Sequence, residues 1–272
     1  MSDTRDDRGD SAESTTAAPS IKEIEAAYEN GTNVMGLLRQ RGRVNHNTPD
    51  SILISYDLQS GSYSALMEDA EHRRIKDYIN EGMAVVLRPL LGADLLEVGV
   101  GEASSLGGVI QKLGIQTSSV GGFDISWSRA AFARQHLGRL GLPGVTLFTG
   151  DIGAIPLVDD AYDVVYTAHS LEPNGGRERE CLQELFRITR KWLVLFEPAF
   201  ELGNAETKDR VREHGYCRGL PDIARELGYD VVEFRLFERS VFSFNQTQQI
   251  VIRKRTNDEA PPRVDPGFET TR

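Results

Sequence analysis

The run LLEVGVGEASSLGG at residues 95–108 constrains this chain more than any other stretch, because a short apolar segment passes into a glycine-spaced turn and then into residues that continue as a helix. Strand, glycine turn and helix in that order form the unit in which open α/β sheets bind ligands, outside the carboxyl ends of their strands. Gly99 and Gly101 allow the main chain to approach a ligand with no Cβ in the way, and the N–H groups of the helix that follows point inward. A pyrophosphate fingerprint reads G-x-G-x-x-G. Here Ser104 stands where the third glycine belongs, and Glu102 adds a negative charge at the helix start. Glu97, just ahead of the glycines, fits a ligand that carries positive charge.

Downstream, short apolar runs alternate with amphipathic stretches. Strands are expected at 94–100, 118–125, 145–152, 162–170 and 191–198, with helices at 103–113, 127–140 and 177–190. Near-continuous apolar strands separated by helices indicate a parallel sheet covered on both faces. The segment GYDVVEFRLFERSVFSFNQTQQIVIRK carries two more strand-like runs with no helix between them, which predicts an antiparallel hairpin closing the sheet. The fold class is therefore α/β, Rossmann-like and doubly wound: a mostly parallel seven-stranded sheet, a C-terminal antiparallel hairpin and an N-terminal helical lid region. Ile21, Ile24 and Tyr28 fall on a helical period, and most of the chain from residue 64 to Pro89 is expected to be helical. The domain reading is a disordered tail at 1–20, a helical lid at 21–90, the ligand-binding domain at 91–256 and a flexible tail at 257–272.

With 272 residues, 39% of them hydrophobic, the chain can bury a full core. A formal net charge of −10 argues against nucleic acid held through its phosphates, which requires clustered Lys and Arg. No stretch has the roughly 20 apolar residues of a membrane span. The first residues lack the charged-then-apolar order of a signal peptide. Cys181 and Cys217 lie far apart without metal-ligand spacing, so a reduced, cytoplasmic protein without a metal is expected.

The pattern E-x-G-x-G in EVGVGEA resembles the first motif of class I S-adenosylmethionine-dependent methyltransferases, and the later motifs follow in that family's order. The resemblance covers roughly residues 50–255. It implies S-adenosylmethionine as cofactor, with S-adenosylhomocysteine as product, held by Glu97, Gly99 and Gly101. It also places Asp124 and Ile125 at the ribose, Asp151 and Ile152 at the adenine, and His169 beside the cofactor. Two carboxylate oxygens suit a pair of ribose hydroxyls. In ISYDLQSGSY, Tyr56 and Tyr63 stand where similar enzymes fold an aromatic segment over the cofactor, toward the methionyl carboxylate or the sulfonium.

Methyl transfer to a hydroxyl or ammonium calls for a base as well as positioning, and YTAHSLEPNGG supplies His169 and Glu172 as catalytic candidates. An imidazole with an ordinary pKa near ~6.5 suits proton removal near neutrality. Glu197, His214, Tyr216 and Arg218 are candidates for contact with the substrate, whose charge the sequence leaves open. The reading that fits best is methyl transfer to a nitrogen or oxygen of a small molecule in specialised metabolism, by a monomer or a homodimer. The alternatives are a protein or RNA methyltransferase, an NAD-dependent oxidoreductase and a non-catalytic nucleotide-binding sensor.

Overall fold

The computed structural model describes residues 18–255. Residues 1–17 and 256–272, which hold nearly all of the two expected tails, lie outside the described residues. Five helices come first: α1 (Ile21–Glu29), α2 (Val34–Gly42), α3 (Pro49–Leu58), α4 (Ser62–Leu66) and α5 (Ala70–Leu87). Their starts follow from local chemistry. Ser20 and Glu23 form a reciprocal capping box on α1, Thr48 and Ser51 do the same on α3 with Pro49 in the first turn, and Asp69 caps α5 through the His72 N–H.

The sheet then builds through β1 (Leu95–Val98), α6 (Ser104–Leu113), β2 (Val120–Asp124), α7 (Trp127–Arg139), β3 (Thr146–Thr149) and β4 (Tyr162–Ala168). It continues with α8 (Glu178–Ile188), β5 (Thr189–Pro198), α9 (Ala205–His214), α10 (Leu220–Glu226), β6 (Asp230–Leu236) and β7 (Thr247–Arg253). The strand order is β3-β2-β1-β4-β5-β7-β6. All neighbours up to β5 are parallel, and β7 alone runs backwards, inserted between β5 and β6 and antiparallel to both. The expected hairpin is thus present, but its return strand is the inner one. Its connection at residues 237–246 is long and includes a single helical turn at Ser243–Asn245.

Alternation along the strands feeds two cores, as the period of two requires. Leu95, Tyr166 and Phe196 pack with Met83, Leu87 and the α6 and α7 side chains on one face. Leu96, Val165 and Leu195 pack with α8 and α10 on the other. Helix α5 therefore shares a core with the sheet, and this packing carries the N-terminal helices over the carboxyl ends of the strands. Among the described residues no helix is long and apolar enough to cross a membrane.

Candidate active site

A crevice of about 340 Å³ opens over the carboxyl ends of the parallel strands. The β1–α6 turn forms its floor. Gly99 and Gly101 both adopt left-handed backbone, φ 76° and 52°. The Gly99 and Val100 N–H groups both donate to the Phe123 carbonyl, at 2.7 and 2.8 Å. A Cβ at Gly99 would collide with the Ser170 side chain, and one at Gly101 would lie 2.5 Å from the Arg129 guanidinium. Glycine is needed here for close approach as well as for conformation.

The three acids at the strand tips all line this crevice. Glu97 faces Tyr166 across the β1–β4 register and accepts a 2.6 Å bond from its hydroxyl. Burial pushes the Glu97 carboxyl up to about 8, against the Tyr166 bond and the Lys76 charge, which pull it down. Burial thus favours the protonated form of Glu97, and a cation placed beside it would favour the carboxylate. Asp124 accepts from the Gly101 N–H at 2.7 Å and the Ser126 N–H at 2.9 Å, tying the glycine turn to the start of α7. Burial raises its pKa in spite of these bonds and of nearby Arg129. Asp151 pairs with Arg177 through two contacts, at 2.5 and 3.2 Å. Ile125 and Ile152 line the same cavity.

Glu102 has a job that the sequence reading did not assign. Its two carboxylate oxygens accept from the Gly61 N–H at 2.8 Å and the Ser64 N–H at 2.6 Å, fastening the start of α4 to the glycine turn. Tyr56 and Tyr63 line the crevice from this cap, and the Arg129 guanidinium lies 5.0 and 4.9 Å from their ring centres. Arg129 itself is buried, and its Nε has no hydrogen-bond partner.

His169 and Glu172 also line the cavity and touch one another, Nδ1 to carboxylate at 3.0 Å, while Nε2 lies 2.7 Å from the Thr247 hydroxyl. A carboxylate accepts only, so Nδ1 carries the proton and Nε2 is the basic nitrogen. Burial opposes the imidazolium, but the Glu172 bond and charge outweigh it and leave His169 above the ordinary histidine value. His169 is a stronger base than the ordinary value anticipated.

The four residues expected to contact substrate do not line the crevice. Glu197 is wholly buried, its carboxylate spent on the N–H groups of Ser170, Leu171 and Glu172 beneath the His169 turn. Burial raises it to about 7. His214 bonds Asn33 at 3.0 Å and stacks on Tyr216 at 5.2 Å, joining α9 to the N-terminal helices. Tyr216 is buried near Glu172, and burial together with the Glu172 charge raises the pKa of its hydroxyl. The Arg218 guanidinium lies over Phe200, 5.8 Å away. These side chains build walls and joints.

Other residues supply the far half of the crevice: His72, Lys76, Ile79 and Met83 from α5, Arg210 from α9, Phe237, Arg239, Val241, Phe242 and Asn245 on the β6–β7 connection, and Thr247 at the start of β7. Positions 72, 76, 79 and 83 recur at three and four residues, so the stripe was visible as one helical face. What the sequence did not carry was that this face looks into the crevice.

Residues 95–191 match the family model described as a methyltransferase domain. A search of the curated proteins returns no match. Among solved structures, the [4+2]-cyclase SpnF is similar at 16% identity and TM-score 0.60, over 77% of this chain and 97% of that one. Magnesium protoporphyrin IX methyltransferase from Synechocystis PCC 6803, solved with bound S-adenosylhomocysteine, is similar at 15% identity and TM-score 0.57, over 74% and 99%. A SAM-dependent methyltransferase from Aquifex aeolicus follows at 19% identity and TM-score 0.51, over 70% and 97%.

Proposed function

We propose that this chain, whose residues 95–191 match a methyltransferase-domain model, is a class I S-adenosylmethionine-dependent enzyme that moves a methyl group to a nitrogen or oxygen of a small-molecule acceptor, in specialised metabolism. The observation that supports this most directly is the convergence of Glu97, Asp124 and Asp151 on one crevice floored by two left-handed glycines. The cofactor supplies a methyl made labile by the positive sulfur. The chain supplies orientation and exclusion of water, where proximity is worth ~7 to 11 kcal/mol.

In this reading Asp124 keeps its two backbone bonds and uses its remaining lone pairs for the ribose hydroxyls. Asp151, held in place by Arg177, accepts from the adenine amino group, with Ile125 and Ile152 against the ring. Arg129, with its orphaned Nε, and the tyrosine pair receive the methionyl carboxylate. His169 shields the reacting end and accepts the acceptor's proton at Nε2, where the Thr247 hydroxyl now sits, while Glu172 holds the ring and the resulting imidazolium.

Titration calorimetry with S-adenosylhomocysteine tests the cofactor site. Wild type is expected to bind and Asp124→Ala to lose ~1 to 3 kcal/mol, the cost of leaving the ribose hydroxyls unpaired. Equal affinity for both proteins would remove Asp124 from the site.

A further inference from the structure

The crevice is lined by cations and carboxylates alike, but their partners differ. Each carboxylate is already engaged: Glu97 by Tyr166, Glu102 by two N–H groups of the cap, Asp124 by two of the glycine turn and α7, Asp151 by Arg177, and Glu172 by His169. The cations close no such bond with a described carboxylate, although Lys76 feels the Glu97 carboxyl and Arg129 the Asp124 one. Lys76 donates to the Ser105 hydroxyl at 2.8 Å, Arg239 to the Tyr78 carbonyl at 3.0 Å, and the Arg210 guanidinium lies 5.8 Å from the Phe244 ring centre. Arg210 Nε, like Arg129 Nε, is buried without a partner. Among the described residues none of His72, Lys76, Arg129, Arg210 or Arg239 closes an ion pair with a carboxylate.

Arg129 is buried, while Lys76, Arg210 and Arg239 are half-buried along the crevice wall, where an arriving anion can take charge-assisted hydrogen bonds that they do not spend on a carboxylate. One carboxylate, that of the methionyl group, answers Arg129 and leaves the others. They flank an apolar surface: Phe196 and Phe237 pack edge to face at 5.2 Å, the Arg239 stem runs over Gly82 beside Phe237, and Val241 and Phe242 form an exposed lip. We propose that the acceptor is a small anion with an apolar body, its carboxylate or phosphate held by Arg239, Arg210 and Lys76 while its ring or chain lies on Phe196, Phe237 and Phe242. This rests on the methyl-transfer reading above and names the acceptor class for that same site.

The test uses the full chain saturated with S-adenosylhomocysteine and four matched probes: 2-naphthoate, 2-naphthyl phosphate, 2-naphthamide and 2-naphthylmethylamine, each titrated by calorimetry. An anion is expected to bind roughly 10-fold or more tightly than the amide, with the amine weakest, as hydrogen bonds to charged groups imply. The tighter of the two anions identifies the head group. Arg239→Gln and Arg210→Gln should erase the anion's advantage while leaving S-adenosylhomocysteine affinity and the amide unchanged, so a folding defect is told apart. An amine or amide that binds as well as the anions overturns the proposal, as does an anion preference that survives both substitutions. Silence from all four probes while S-adenosylhomocysteine titrates normally overturns the acceptor class alone. Failure of S-adenosylhomocysteine itself to bind overturns the methyl-transfer reading beneath it.

Discussion

Replacing Glu97 with Gln should make the protein more stable at high pH, and the size of the gain follows from where the carboxyl sits. Gln keeps an oxygen to accept from Tyr166 and loses only the ability to ionise. In the folded protein burial holds Glu97 near 8, against an ordinary 4.5. A raised acid favours the fold in its protonated form, so its contribution is whole below about 4.5 and is lost as the pH climbs through about 8. Each unit of difference corresponds to about 1.4 kcal/mol, so the wild type is expected to lose a few kcal/mol, roughly 2 to 4, between pH 5 and pH 9 that Glu97→Gln does not lose. Urea unfolding at pH 5, 7 and 9, with the m-value checked for constancy, reads the difference directly. The same group has a signature on binding. A cationic group of the ligand beside it, ammonium or sulfonium, would favour the ionised carboxyl, so S-adenosylmethionine should release protons on binding the wild type at pH 7 and not on binding Glu97→Gln, as calorimetry in phosphate and Tris would record. Parallel stability profiles for wild type and Glu97→Gln would refute the reasoning, because the carboxyl would then be ionised and well solvated in the fold.

Two further outcomes are expected. Gly99→Ala should cost roughly 2 to 5 kcal/mol in urea unfolding, combining left-handed strain with the collision against Ser170, and should abolish S-adenosylhomocysteine binding; adding Ser170→Gly should restore only the steric share, seen as a coupling of about 1 to 3 kcal/mol in a double-mutant cycle. Glu172 holds His169 above its ordinary pKa, so in Glu172→Gln the acid limb of kcat/KM should move to lower pH and the plateau should fall as the base weakens; an acid limb that stays in place would exclude His169 as the base.

The parallel half of the sheet was legible because each strand carries its own apolar run and two of its helices carry local end signals: Ser126 before α7 and the left-handed Gly114 after α6 are read from a few neighbouring residues. The tips of β1, β2 and β3 were legible for the same reason, since chain order alone puts Glu97, Asp124 and Asp151 at the same edge. The far half of the crevice was not. Lys76 and Arg239 are separated by well over a hundred residues and reach it only because α5 shares a core with the sheet and β7 reverses, returning its long connection over the strand ends. The misplacement of Glu197 has a similar cause. A carboxylate at the end of a central strand looks available in sequence, yet three main-chain donors of the neighbouring turn take it first.

Glu102 carries one last implication. The same short turn that floors the crevice also anchors its roof, through two oxygens of a single side chain. The two bonds join the glycine turn directly to Gly61 and Ser64, on either side of Tyr63, so floor and roof of the crevice are held at a fixed separation by a single carboxylate, and Glu102→Ala is the change that would set them free of one another.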